Sequence, residues 1–168
     1  MARRRFEYIL KLKDFLHPVA PNPLVEGSWR NPTSADKQTL AELMLASYYG
    51  TIDYDGETIE DALKEVESYY SGTSNQFWLR YSWLAFLENE LASACLVGFW
   101  KERNVPLIAY IMTTPRWTAN HLATSALLRS LQSLSDQKYA EVRAVITEGN
   151  NPSEKIFTRI GFNRLSSE

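Results

Sequence analysis

The chain has 168 residues, 45% of them hydrophobic, and a formal net charge of −2. This length favours one domain with a packed core, and the near-neutral charge gives no general electrostatic case for a nucleic-acid partner. The single cysteine, Cys95, excludes an internal disulfide framework, and two histidines are too few to make a metal cluster on their own.

The chain opens with "ARRR" at residues 2–5, a local basic run that reads as a solvated terminus. "RFEYILKLKDFL" has two readings. Alternation would bury Phe6, Tyr8, Leu10 and Leu12 along a strand, whereas helical spacing would bury Phe6, Ile9 and Leu10. The three prolines of "HPVAPNPLVEG" demand irregular backbone, so residues 1–28 are taken as an N-terminal arm and 29–168 as the domain. Lys11, Lys13 and Asp14 interrupt any signal-peptide pattern. Residues 81–100 contain Glu88, Asn89 and Glu90, so no membrane span is expected there. The cytoplasm is the expected location, with neither membrane nor nucleic acid as partner.

Thr33, with Asp36 three residues later, predicts a capped helix that buries Leu40, Leu43 and Met44. Thr58 and Asp61 cap a second helix with Ile59, Leu63, Val66 and Tyr70 on one face, and Gly72 ends it. Three strands follow, "FWLRYSWLAFL", "LASACLVGFW" and "VPLIAYIMTT". The turns "ENE" and "KERN" are too short for crossovers, so the strands form an antiparallel meander. Pro115 stops the third strand. A helix through "LATSALLRSLQSL", with Leu127, Leu131 and Leu134 on one face, leads to a strand in "DQKYAEVRAVITEG". That strand–helix–strand order implies a right-handed crossover and a parallel pair. "NPSEKIFTRIGF" is a last helix, with Asn151 as its N-cap, Pro152 in its first turn and Gly161 as its stop. The fold class is therefore a mixed α/β sheet. Ligands favour the C-terminal ends of its parallel strands, here Thr113–Thr114 and Thr147–Asn150.

This order, with two local motifs, resembles the GNAT superfamily of acyl-CoA-dependent N-acetyltransferases over about residues 28 to 163. "SWRNPTSAD" is similar to the family's opening strand and helix cap, and "LENELASACLVGFW" to its hairpin. "IAYIMTTPRWTANHLATSALLRSL" resembles its acyl-CoA motif. Thr118, Ala119, Asn120, His121, Leu122 and Ala123 fill the signature Gln/Arg-x-x-Gly-x-Gly/Ala, which only Ala123 matches. "EGNNPSEKIFTRIGF" resembles the motif Asn-x-x-Ala-x-x-Leu-Tyr-x-x-x-Gly-Phe. Asn150 takes the Asn position, Ser153 the Ala, Ile156 the Leu and Phe157 the Tyr, and Gly161–Phe162 end it. The resemblance implies a pair of splayed parallel strands with the pantetheine arm of acetyl-CoA between them. It also implies transfer of the acetyl group to a small-molecule or peptide amine, and it allows a homodimer through sheet edges.

Pyrophosphate binding needs unpaired backbone N–H groups aimed at one point, which a helix start at Thr118–Thr124 would supply. With a negative φ at His121, the imidazole would turn aside and leave its N–H to serve; the ring could also donate to a phosphate. The resemblance places a carbonyl-polarising N–H near Ile111, Met112 or Thr113, and cofactor contacts at Asn150, Ser153 and Phe157. Phe157 stands where the family often has a proton-donating Tyr, and the third strand lacks the Glu that often serves as base. Phe157 also fits plain packing. Tyr110 and Glu148 remain as acid–base candidates. "YYGTIDYDGE" falls where the acceptor would bind. Its Tyr48, Tyr49 and Tyr54 offer rings, and its Asp53, Asp55 and Glu57 negative charge, to an ammonium, or else the stretch is a solvated loop with Gly50 and Gly56 in turns. The departures at Thr118, His121 and Phe157 leave an alternative: a non-catalytic module of this shape that binds acyl-CoA or a protein partner.

Overall fold

Both expected capping boxes form. Thr33 caps a 3-10 turn at Ser34–Asp36, which runs directly into α1 (Lys37–Tyr48); Thr58 caps α2 (Ile59–Ser71) with Asp61. The computed structural model describes residues 3–15, 27–72, 75–118 and 121–166. Most of the proline-rich stretch expected to be an irregular arm lies outside the described residues.

The sheet has seven strands in the order β2-β3-β4-β5-β6-β1-β7. They are β1 (Arg5–Lys11), β2 (Ser28–Arg30), β3 (Trp83–Leu87), β4 (Glu90–Trp100), β5 (Val105–Thr113), β6 (Glu141–Thr147) and β7 (Asn163–Arg164). The strands β3, β4 and β5 form the expected antiparallel meander. The helix α4 (Leu122–Asp136) crosses over to β6, which runs parallel to β5. The helix α5 (Asn151–Ile160) follows. Of the two readings of the N-terminal segment, the strand is the one adopted. It pairs with β6 along its whole length, from Arg5↔Thr147 to Lys11↔Glu141. Alternation decided this: Phe6, Tyr8, Leu10 and Leu12 are all buried. Residues 5–11 are thus an interior part of the sheet.

Two expectations need correction. The segment "FWLRYSWLAFL" is a strand only from Trp83. Before it come the short helix α3 (Asn75–Trp78) and a 3-10 turn at Leu79–Tyr81. Helical spacing brings Trp78 and Tyr81 onto one aromatic cluster, where Trp78 stacks on Phe99 at 5.3 Å and both meet Tyr139. The cap of α5 is Asn150 rather than Asn151; its side chain accepts from the Ser153 N–H at 3.3 Å. Gly161 ends that helix with φ +121°, a conformation that disfavours any other residue.

The side chains of β4 alternate between two cores. Ala94 and Leu96 join Leu40, Leu43, Met44 and Val66 of α1 and α2, whereas Cys95 and Val97 join Leu127, Leu131 and Leu134 of α4. The second core also holds the inner rows of β1 and β6 and Phe157 of α5. Burial pushes the Cys95 thiol up to about 12, so it is an inert core group, as read from its apolar run.

Arg30 of β2 makes a fork to Asp36, at 2.8 and 2.7 Å, and the same carboxylate closes the Thr33 capping box at 2.7 Å. The hydrogen bond from Arg30 holds the Asp36 carboxyl below its usual range, helped by the Thr33 N–H. A depressed folded pKa stabilises above the unfolded value and is lost as pH falls through the folded one. Asp36→Ala is therefore expected to cost about 2–3 kcal/mol in denaturant melts at neutral pH, from one cap and one charged fork. The difference from the parent should shrink once pH falls below the ordinary Asp value.

Candidate active site

The site begins where β5 and β6 stop pairing. Their parallel ladder holds only Leu107↔Arg143 and Ile108↔Ala144. Directly after Ile108, the register with β4 shifts: Val97 faces Ile108 and Leu96 faces Tyr110, leaving Ala109 as an extra residue. Such a bulge bends its strand and re-aims the residues beyond it. From there to Thr113 and Thr147, no further β5–β6 pairs form, and the two strand ends splay.

The backbone of β5 along this gap can be assigned. Thr114 N–H donates to Ala92 of β4 at 2.9 Å, whereas Thr113 N–H donates to the Ser47 hydroxyl of α1 at 3.3 Å. Successive N–H groups of an extended strand point to opposite edges. Met112 therefore shares the β4 edge with Thr114, and the N–H of Ile111 faces the gap. The Met112 side chain is core, and that of Ile111 is half-buried.

The strand β5 leads through a 3-10 turn at Pro115–Trp117 to α4. The Thr118 N–H and hydroxyl both donate to the Pro115 carbonyl, at 3.4 and 2.9 Å. Ala119 and Asn120 lie outside the described residues. His121 is the N-cap, and its φ is +57°, not negative. It adopts the backbone that a glycine would take, and its side chain makes no capping bond. The first intrahelical bond of the turn is Ser125 N–H to the His121 carbonyl. Among the described residues, the N–H groups of Leu122, Ala123 and Thr124 therefore have no partner in the turn. Leu122 anchors that turn with a buried side chain packed among Ala85, Leu87 and Ala92.

Across the gap, Asn150 engages all of its groups. Its Oδ1 caps α5, its N–H donates to Thr147, and its Nδ2 donates to Asp53 Oδ2 at 3.2 Å. This joins the expected acceptor loop to the expected cofactor hinge. Asp55 pairs with Arg3 at 3.3 Å, both exposed, and Tyr49 and Tyr54 meet with ring centroids 5.1 Å apart. Tyr49 is 70% exposed. Ser153 is half-buried on the first turn of α5. Phe157 is buried edge-to-face against Phe162, with centroids 4.9 Å apart, and its ring serves the core. Glu148 is exposed at the strand end, and its backbone N–H donates to Arg4.

Sequence reasoning missed two neighbours of the site, Ser47 and Glu65, which flank the Tyr48 of the acceptor stretch. Ser47 takes the Thr113 N–H. Tyr48 is half-buried near Asp53 and Glu65; burial, then those two charges, push its phenol up to about 12. Glu65 of α2 accepts a hydrogen bond from the Tyr110 hydroxyl. Of the two missed residues, only Ser47 left a hint, as the polar break in the apolar face of α1. A concavity of about 520 Å³, lined by Lys11, Lys13, Lys138 and Tyr139, lies at the opposite end of β6 and holds none of these residues. Among the described residues no helix is long and apolar enough to cross a membrane, and no group of three or more ligating side chains could hold a metal.

A splayed parallel pair beside an open helix start is the architecture that the motifs implied. A model of the acetyltransferase (GNAT) domain matches residues 29–163. The chain belongs to the GNAT acetyltransferase family. Solved GNAT structures share the fold. A GCN5-related N-acetyltransferase from Sphaerobacter thermophilus superposes with TM-score 0.71 at 14% identity, covering 97% of this chain and 49% of that one. The chain thus spans about half the length of that relative. The ribosomal-protein-alanine N-acetyltransferase of Brucella melitensis gives 0.67 at 16% identity, covering 83% of this chain and 86% of its own. The PaiA N-acetyltransferase of Thermoplasma acidophilum, in complex with coenzyme A, gives 0.62 at 16%, covering 86% and 94%. At such identities the likeness speaks for the fold alone. No curated protein sequence matches the chain.

Two expectations follow for this GNAT domain. His121→Gly removes a left-handed non-glycine residue and should leave stability unchanged or raise it by up to about 1 kcal/mol in thermal melts. Asn150→Ala removes a cap and should cost about 1 kcal/mol. Asn150→Asp keeps the cap but sets a second carboxylate beside Asp53, so its cost should diminish in acid, where the carboxylates protonate.

Proposed function

We propose that the protein transfers an acetyl group from acetyl-CoA to an amine. The observation that carries this reading is the set of N–H groups at Leu122, Ala123 and Thr124, unpartnered among the described residues, at the same end of the sheet as the β5–β6 gap. Three such groups at a helix start favour a pyrophosphate, with the helix dipole adding to the attraction. His121 is exposed at the helix start, and its ring would add a donor beside them. Asn150 and Ser153 line the far side of the gap, and the Ile111 N–H is directed into it, where it would polarise a carbonyl. When bound, acetyl-CoA supplies an activated acyl group on sulfur. The chain holds the ligand, orients the carbonyl and receives the amine at the 49–57 loop. Asp53 and Glu65, with the Tyr48 and Tyr54 rings, give that loop's neighbourhood an acidic, aromatic character suited to a cationic amine.

A non-catalytic acyl-CoA-binding or protein-interaction module is the second reading. Phe157 favours it, because a buried phenyl ring has no proton to give a thiolate.

Calorimetric titration with acetyl-CoA and with CoA is the direct test. Comparable affinity for both is expected, because the shared pyrophosphate and pantetheine carry the contacts. At a ligand concentration of about one hundred times Kd, the fold should gain about 2.7 kcal/mol. A folded protein that gives neither heat nor a melting shift would remove the cofactor assignment. For the acceptor, Asp53→Asn keeps a carbonyl for Asn150 but removes the charge. It should raise KM for a cationic amine several-fold while leaving the Kd for CoA in place; an unchanged KM would take Asp53 out of the acceptor site.

A further inference from the structure

Acetyl transfer from a thioester to an ammonium releases one net proton, which needs an acceptor. Tyr110 stands on β5 just beyond the bulge, and its hydroxyl donates to Glu65 Oε1 of α2. Glu65 is otherwise exposed, and among the described residues no cation pairs with it. The groups facing the pair are Tyr48 from α1 and Tyr69 from α2, whose ring lies 6.1 Å from that of Tyr110. Asp53, beside Tyr48, completes the neighbourhood. All of these are phenols or carboxylates. Burial, and then the bond to Glu65, raise the Tyr110 phenol above its ordinary range, which keeps its proton on the bond toward Glu65. A hydroxyl that donates one hydrogen bond still has lone pairs that accept. The Tyr110 oxygen can therefore take an N–H from an amine that enters between α2 and the 49–57 loop.

Resting on the acetyl-transfer reading, we propose that Glu65 is the terminal proton acceptor for the acceptor amine, reached through the Tyr110 hydroxyl. The ammonium N–H bond breaks as an O–H bond forms at Tyr110, while the phenol's own proton passes to the Glu65 carboxylate. The products are a neutral amine with a free lone pair, an unchanged phenol and a carboxylic acid, which returns its proton to solvent from the exposed side. The other carboxylates are less suited. Asp53 is tied to Asn150, and Asp55 is tied to Arg3. Among the described residues no hydroxyl donates to Glu148. Tyr110 is the catalytic residue in this scheme, and Glu65 positions and drains it.

The test measures thiol release from acetyl-CoA with a panel of small primary amines, a diamine and an aminoglycoside among them. Profiles run from about pH 6 to about pH 10, which spans the range between carboxylate and amine titration. Glu65→Gln and Tyr110→Phe are each expected to lower kcat/KM by on the order of 100-fold at neutral pH. Each deficit should close as pH approaches the amine's own pKa, because the amine then arrives already neutral. The double variant should lose little more than either single one, since both act on one path. A loss that is the same at every pH would mean that the pair only supports the fold, and no loss would mean that another base acts; either overturns the proposal. CoA binding without turnover of any amine by the parent protein would overturn the acetyl-transfer reading, and this proposal with it. Turnover by the parent with unchanged variant profiles overturns the proposal alone.

Discussion

The short parallel ladder between β5 and β6 is the constraint on which the site depends. Two strands that paired to their ends would satisfy one another's backbone and leave no opening. Here the ladder stops at Ile108↔Ala144, and the extra residue Ala109 bends β5 at that point. Unpaired backbone within a sheet normally costs free energy unless other groups take it up. The chain supplies partial substitutes: Ser47 accepts from Thr113, and Asn150 arranges the start of α5. The Ile111 N–H is left directed into the gap. The proposed binding cleft and the sheet defect are the same feature.

Rigid elements surround that defect. β4 extends past the start of β3, and the Val97 N–H and carbonyl are taken by the side chains of Ser82 and Tyr69, at 2.8 and 2.5 Å. Tyr69 also packs edge-on to Tyr110, so the helix that steadies β4 also positions the Tyr110 phenol. On the other side, the Tyr8 hydroxyl donates to Glu154 at 2.8 Å and ties β1 to α5. The N-terminal strand thus backs the half of the cleft formed by β6 and α5. The loop at 49–57 is tied to this half through the hydrogen bond from Asn150 to Asp53 and the exposed Arg3–Asp55 pair.

Much of the local structure was legible in the residues. The capping pairs Thr33–Asp36 and Thr58–Asp61, the leucine face of α4, the meander turns and the stop at Gly161 all follow from short-range chemistry. Each involves groups within a few residues of one another, so spacing alone identifies them. The last motif also told where the gap would be, although its cap was placed one residue late, because adjacent asparagines offer the same donor and acceptor. The segment before Trp83 was misjudged because its aromatic residues suit a strand by composition. Their helical turn is dictated by Phe99 and Tyr139, which are distant in sequence.

What the sequence by itself determined is the class of fold, the family resemblance and the two ends of the cleft. Those rest on periodicity, caps and motifs, which are properties of neighbouring residues. Only the tertiary structure decided that Phe6, Tyr8 and Leu10 belong to an interior strand, that His121 stands in a left-handed backbone, and that Phe157 is a core residue. It alone brought Glu65 to Tyr110 and Asp53 to Asn150, pairs separated by 45 and 97 positions. Hydrogen bonds across such distances leave no periodic trace, because the partners share neither a turn nor a face until the sheet has formed.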